Sequence, residues 1–357
     1  MSRLPSVGGV FSEQRCRRTA AAIAAVQQPS GALPWFTGGR TDPWDHVQAA
    51  MALSATGLRE QADAAFEWTR TAQRPDGSWA AEYRGDAVVD EYTDANFCAY
   101  PATGVWHHWR VFGDRGFVER MWPTVRRGID VVLGLRAPGG QVWWARDVDG
   151  SIRREALLTG NASIHLSLRC AIGLAEVVGE AVPELELAAD GVRHSLDGHP
   201  ERYADKSRYS MDWYYPVLGG ALPVPVARAR LAAHRAEFVV DGLGIRCVAD
   251  RPWVTGAETC EYVLALDAAG LTAEAHAQFA AMQHLRDPDG SYWTGLVYPD
   301  RARWPVERST WTAATVVLAA DALSRTTAGN GLFRGEGLPP GTMSPTLEGT
   351  CRCPTSR

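Results

Sequence analysis

The run Thr41-Asp42-Pro43-Trp44-Asp45-His46 sets two carboxylic acids three residues apart around a tryptophan. A second pair with the same spacing, Glu258 and Glu261, lies in Trp253-Val254-Thr255-Gly256-Ala257-Glu258-Thr259-Cys260-Glu261. On a helix, a spacing of three places both acids of a pair on one face. Paired carboxyls suit acid and base catalysis. One gives a proton to a leaving oxygen, and the other activates water or attacks carbon. Each acid also has a plain structural role. Asp42 before Pro43 is an N-cap followed by proline at the first helical position. Asp45 stands where a capping-box acid would, and Thr255-x-x-Glu258 has the capping-box form. Glu261 lies past the capping position, and capping does not call for the aromatic residues beside the acids.

The elements that position these acids alternate in kind. Residues 42–56 are small and apolar nearly all round, so that helix needs cover on several sides. Residues 59–73 keep Ala62, Ala65, Phe66 and Thr69 on one face and charges on the others, as an outer helix does. The same alternation continues through buried segments at 94–112, 160–178, 209–221, 256–270 and 308–324. Their amphipathic partners fall at 115–136, 183–196, 225–239 and 272–285. Turn-rich loops separate the units: Gln27-Gln28-Pro29-Ser30-Gly31 returns 46 positions later as Gln73-Arg74-Pro75-Asp76-Gly77, and Arg286-Asp287-Pro288-Asp289-Gly290 repeats the theme. Units of about fifty residues that cannot bury their apolar faces alone must stack on their neighbours. The expectation is an all-α fold, an (α/α)6 barrel of six inner and six outer helices. An open solenoid is the alternative. The helix over 12–28 would complete the outer ring. Residues 1–326 form one domain on this expectation, and the Gly/Pro/Thr-rich stretch 327–357 is a flexible tail. Few strands are expected.

In such a barrel the inner helices run the same way, so their N-termini and the preceding loops share one mouth. Asp42, Trp44 and Asp45 open the first inner helix, after Trp35. Glu91 and Asp94 open the second, Asn161 the third, and Tyr209, Asp212 and Trp213 the fourth. Glu258 and Glu261 open the fifth, after Trp253. Glu307 and Trp311 open the sixth, after Trp304, with Trp293 in the loop before it. Facing carboxyls among aromatic platforms suit glycoside hydrolysis, with Asp42 or Asp45 working against Glu258 or Glu261. Glu258 is the expected general acid and Asp45 the base, with Asp42 positioning either. Carboxyls on opposite sides of a mouth favour inversion, which needs separations of roughly 6.5–9.5 Å. His46 either tunes the acids or supports them from behind. His107 and His108 read as a packed pair.

Composition narrows the partners. The net charge of −5 offers no basic field for nucleic acid or anionic lipid. No apolar run is long enough to span a bilayer. The seven cysteines show no metal-ligand spacing, and without a secretory leader they suit a reducing, cytoplasmic setting. No metal constellation and no phosphate-binding loop is visible, so no cofactor is expected. The 14 tryptophans, many at loop–helix junctions, favour a stacking surface.

The Gln-x-Pro-x-Gly loops resemble those of squalene-cyclase and prenyltransferase-like toroids. The Asp-x-Asp-Asp acid and the zinc-binding residues of those enzymes have no counterpart here. Over about 12–325, the stretches at 41–46 and 253–261 more closely resemble six-hairpin glycosidases. In particular they resemble an actinobacterial group that includes the methylmannose polysaccharide hydrolases. That resemblance implies endo-acting cleavage of an α-mannosidic oligosaccharide or polysaccharide, methylated or not, by acids at the matching positions. The alternatives are a terpenoid cyclase or prenyl-transfer relative, and a carbohydrate-binding toroid that breaks no bond.

Overall fold

The computed structural model describes residues 3–339. Its helices are α1 (Glu13–Ala25), α2 (Pro43–Ala55), α3 (Arg59–Thr71), α4 (Ala95–Ala99), α5 (Pro101–Phe112), α6 (Arg115–Gly134) and α7 (Leu158–Val178). There follow α8 (Pro183–Gly198), α9 (Ser210–Tyr214), α10 (Val224–Ala233), α11 (Arg235–Phe238), α12 (Gly256–Ala268), α13 (Thr272–Ala281) and α14 (Thr310–Ser324). Packing runs in a closed circle: α2 on α5, α5 on α7, α7 on the 3-10 turn Tyr215–Gly220, that turn on α12, α12 on α14, and α14 back on α2. Outside this ring α3 packs on α2, α6 on α5 and α7, α8 on α7, α10 on α9, and α13 on α12 and α14. Helix α1 fills the last outer place against α14 and α2. The fold is a closed helical toroid, and most of its buried apolar side chains form one continuous core.

The recurring loops tie the outer ring together. Gln27 Nε2 donates to the carbonyls of Gly31 (3.0 Å) and Gln61 (2.8 Å). Gln73 Nε2 does the same to Gly77 and Thr124, both at 2.9 Å. Each loop therefore fastens itself to the next outer helix, α3 and α6 respectively. The glycines allow the approach. Gly31 has φ +95, and a Cβ there would stand 2.1 Å from Ala64 O; Gly77 has φ +90, and its Cβ would stand 2.6 Å from Arg127 O. The last such loop closes the circle, because Thr19 Oγ1 of α1 donates to Gly290 O at 2.9 Å.

Three local expectations need correction. The fourth inner segment is not one helix over 209–221. It bends at Leu218 (ψ 138) and Gly219 (φ 75), where a Cβ would lie 2.8 Å from Leu166 of α7. Strands are also more numerous than expected. Ten of two to four residues form a hairpin (82–84 with 87–90), a three-stranded sheet and a five-stranded sheet. They sit in the loops just before inner helices, as Thr93–Asp94 precedes α4 and Trp253–Thr255 precedes α12. Finally, residues 327–339 lie against the barrel instead of trailing from it. Leu332 and Phe333 are buried, Thr327 Oγ1 donates to Asp321 at 2.6 Å, and Arg334 pairs with buried Asp267 at 2.6 Å. The remainder of the expected tail, 340–357, lies outside the described residues.

Candidate active site

Helix α2 begins at proline, so Asp42 caps it. Its carboxylate accepts from the backbone N of Asp45 and from Trp35 Nε1, both at 3.0 Å. Trp35 in turn lies 5.9 Å, centroid to centroid, from Trp311 of α14. Trp311 Nε1 donates to Gln48 Oε1 at 2.9 Å, and Gln48 Nε2 donates to Glu261 at 3.2 Å. Tyr214 of α9 donates to the other Glu261 oxygen at 2.6 Å. This chain of contacts runs from α2 through α14 and α12 to α9, so the acids do share one mouth. Helices α2 and α12 are not opposite each other. They flank α14, and their side chains meet over it.

The electrostatics are dominated by burial. Asp45 is held well above the usual carboxylate range by desolvation, then by the Asp42 carboxylate against which it lies. Burial pushes Glu261 up to about 8, although Tyr214 and Gln48 donate to its charged form. Asp94 caps α4 through the backbone N of Asn96 (2.8 Å) and also accepts from Trp144 Nε1 (2.7 Å). Burial still raises it to about 6. Glu258 lies one turn above Glu261, beside the Cys247 thiol, which burial and the nearby Glu258 carboxylate hold protonated. His46 faces away from the acids. Its Nδ1 accepts from Leu33 N at 3.0 Å, its Nε2 meets Ala65 O at 2.9 Å, and burial lowers its pKa to about 4. It is a neutral packing residue. Burial also lowers His107 and His108, to about 3.

The expected aromatic platforms divide. Trp35, Trp44 and Trp311 belong to the mouth. Trp44 packs 5.7 Å from Tyr100 and 5.5 Å from Tyr215. Trp213 points outward instead, stacked 5.2 Å from Phe238 with its Nε1 on Arg230 O. Trp253 gives its Nε1 to Trp304 O at 2.7 Å. Trp293 and Glu307 line a separate groove of about 740 Å³ between α1 and α14. Asp212 accepts from Thr159 Oγ1 at 2.6 Å, and burial raises it. Asn161 spends its amide on Val142 and on Leu157 O, pinning a loop. Tyr209 and Glu91 stand exposed on the rim.

Gln48, Tyr100 and Tyr215 complete the mouth without having been singled out from the sequence. For Gln48 a signal existed: it is a lone amide in the apolar run 47–53, one turn after Asp45. Among the described residues no group of three or more His, Cys, Asp or Glu could hold a metal ion, and no helix is long and apolar enough to cross a membrane.

Over 358 aligned residues the chain is 60% identical to an MMP endo-(1,4)-3-O-methyl-α-D-mannosidase of Mycolicibacterium hassiacum, covering all of this chain and 98% of that one. The chain belongs to this family. As one of these glycoside hydrolases, it leaves no place for the terpenoid and the non-catalytic alternatives. No protein-family model matches it. Its fold is similar to that of a glycosidase variant in complex with glucose, with a TM-score of 0.71 at 18% identity over 87% of this chain and 96% of that one. A D-mannose isomerase gives a TM-score of 0.67 at 12% identity over 88% and 97%. At such identities these two speak for the toroid alone.

Proposed function

We propose that this chain is an endo-acting hydrolase of α-(1,4)-linked 3-O-methylmannose polysaccharide. One observation carries the proposal: full-length identity of 60% to a relative that bears that activity in its name. Asp45 is the general acid. Two carboxyls in one buried site cannot both ionise cheaply, so Asp45, pressed against Asp42, keeps the proton that a leaving oxygen needs. Asp42 accepts from Trp35 and from the Asp45 backbone, and so holds the acid in place. Glu258 of α12, on the far side of α14 from α2, draws the proton from water as the base. These roles exchange those expected from the sequence, where Glu258 was the acid. The support is that the other raised carboxyl, Glu261 on α12, has both oxygens occupied by Tyr214 and Gln48, whereas Asp45 is pressed against a carboxylate. Inversion remains the expectation, and the carboxyl separation decides it: roughly 6.5–9.5 Å for inversion against about 5–5.5 Å for retention. The five described cysteines carry free thiols, which supports a cytoplasmic setting.

The test is incubation of the purified chain with an α-(1,4)-linked 3-O-methylmannose oligosaccharide. Mass spectrometry should find internal cleavage products, and NMR should find a first-formed β-anomer. Release of single terminal sugars would overturn endo action, and a first-formed α-anomer would overturn inversion.

A further inference from the structure

We propose that the small cavity between α4 and α7 is the pocket that takes the substrate's methyl ether; this rests on the methylated-mannoside reading above. The cavity holds about 90 Å³, several times the roughly 10–15 Å³ that one water needs. Trp44, Val142, Trp144, Gly160 and Ile164 give it largely apolar walls, and Asn96 lines it with the one neutral amide not already tied. Asn96 is 4% exposed, and neither its Nδ2 nor its Oδ1 has a partner among the described residues. Buried amides in folded proteins are nearly always satisfied, so an unpartnered one at a cavity wall points to a ligand.

The position suits the role. Trp44 forms a wall of the cavity and is followed in the chain by Asp45, while its ring packs on Tyr100 and Tyr215 inside the mouth. A sugar held over Trp44 beside Asp45 can turn one ring substituent into the cavity. An ether oxygen accepts and does not donate, so Asn96 Nδ2 is its partner, and the methyl carbon fills the apolar space beyond. Asn96 Oδ1 remains to accept from a neighbouring hydroxyl. The other amide on the wall, Asn161, is fully used by Val142 and Leu157 and offers no competing donor. A hydroxyl in place of the methyl ether leaves the apolar space unfilled, and one methylene in such a pocket discriminates by about 10–200-fold.

Gly160 provides the experiment. A Cβ there meets only Leu157 Cβ, at 3.7 Å, an ordinary contact, so a side chain enters the cavity without striking backbone. Gly160→Ala and Gly160→Val are compared with wild type on an α-(1,4)-linked 3-O-methylmannose oligosaccharide and on its unmethylated counterpart. Wild type should prefer the methylated chain by at least about tenfold in kcat/KM. Gly160→Val should abolish that preference by lowering kcat/KM on the methylated chain alone, with Gly160→Ala between. Asn96→Ala should raise KM for the methylated chain and leave the melting temperature unchanged. Equal loss on both substrates in the glycine variants, or an undiminished preference, overturns the pocket and leaves the hydrolase reading standing. A wild type that cleaves neither substrate overturns that reading, and the pocket falls with it.

Discussion

At the mouth, one carboxylate conditions another. Asp42→Asn keeps an oxygen to cap α2, so the fold should hold, but it removes the charge that helps raise Asp45. A general acid works while protonated, and activity falls as pH rises through its pKa. With that pKa lowered, the alkaline limb of the kcat/KM profile should move to lower pH in Asp42→Asn. A limb that stays in place refutes the coupling. Asp45→Asn and Glu258→Gln should each reduce kcat by about 10²–10⁴-fold with unchanged unfolding temperatures, as measured on the methylated oligosaccharide. Glu261 makes a separate demand on stability. Its pKa is raised in the folded state from an ordinary 4.5 to about 8, so the native protein binds more protons over that window. Its contribution is fully present below about 4.5 and is lost as pH climbs through about 8. Denaturant titrations should show stability declining across this range in wild type and a flatter profile in Glu261→Gln.

At the level of helices and loops, the sequence was legible where a pattern repeats and opaque where direction matters. The inner helices announce themselves because they are apolar all round, and the outer ones because they have one wet side. The places of Asp42 and Glu258 in the fold were legible because a helix start marks its own position. Which way a side chain points around that start is a different matter. Trp213 and Tyr214 are neighbours in the chain, about 100° apart on a helix. Tyr214 reaches Glu261 in the mouth, while Trp213 lies outward on Phe238. Trp293 and Glu307, expected at the mouth, likewise line the groove between α1 and α14 instead. The short strands left no alternation to read, since two to four residues hold at most two periods of two, too few to stand out from chance. The Gly-loop clasps can be tested directly. Gly77→Ala forces a side chain onto Arg127 O in a left-handed backbone, and it should destabilise by more than the ~1–2 kcal/mol of the conformation alone. A melting temperature equal to wild type would contradict the clasp.

Across the whole molecule, the segment 327–339 is a strap over α12 and the Tyr215–Gly220 turn. Truncation after Thr326 uncovers the niches of Leu332 and Phe333 and removes Arg334 from Asp267, though Arg325 still pairs with that acid at 2.7 Å. Burial of two such apolar side chains contributes roughly 3–6 kcal/mol at most, so the truncated chain should melt well below wild type by calorimetry.

The clasp between Thr19 and Gly290 joins residues 271 positions apart. No other outer helix must wait so long for its neighbour. During synthesis α1 has only α2 to pack on, and the flank of α2 that meets α14 stays open, until α14 and the loop before it have left the ribosome. Contacts so distant in sequence form late and slowly. The nascent chain therefore carries an unclosed apolar seam for most of its translation, a surface for chaperones to shield and for aggregation to exploit. Variants that weaken the clasp should show their defect in soluble yield before they show it in turnover.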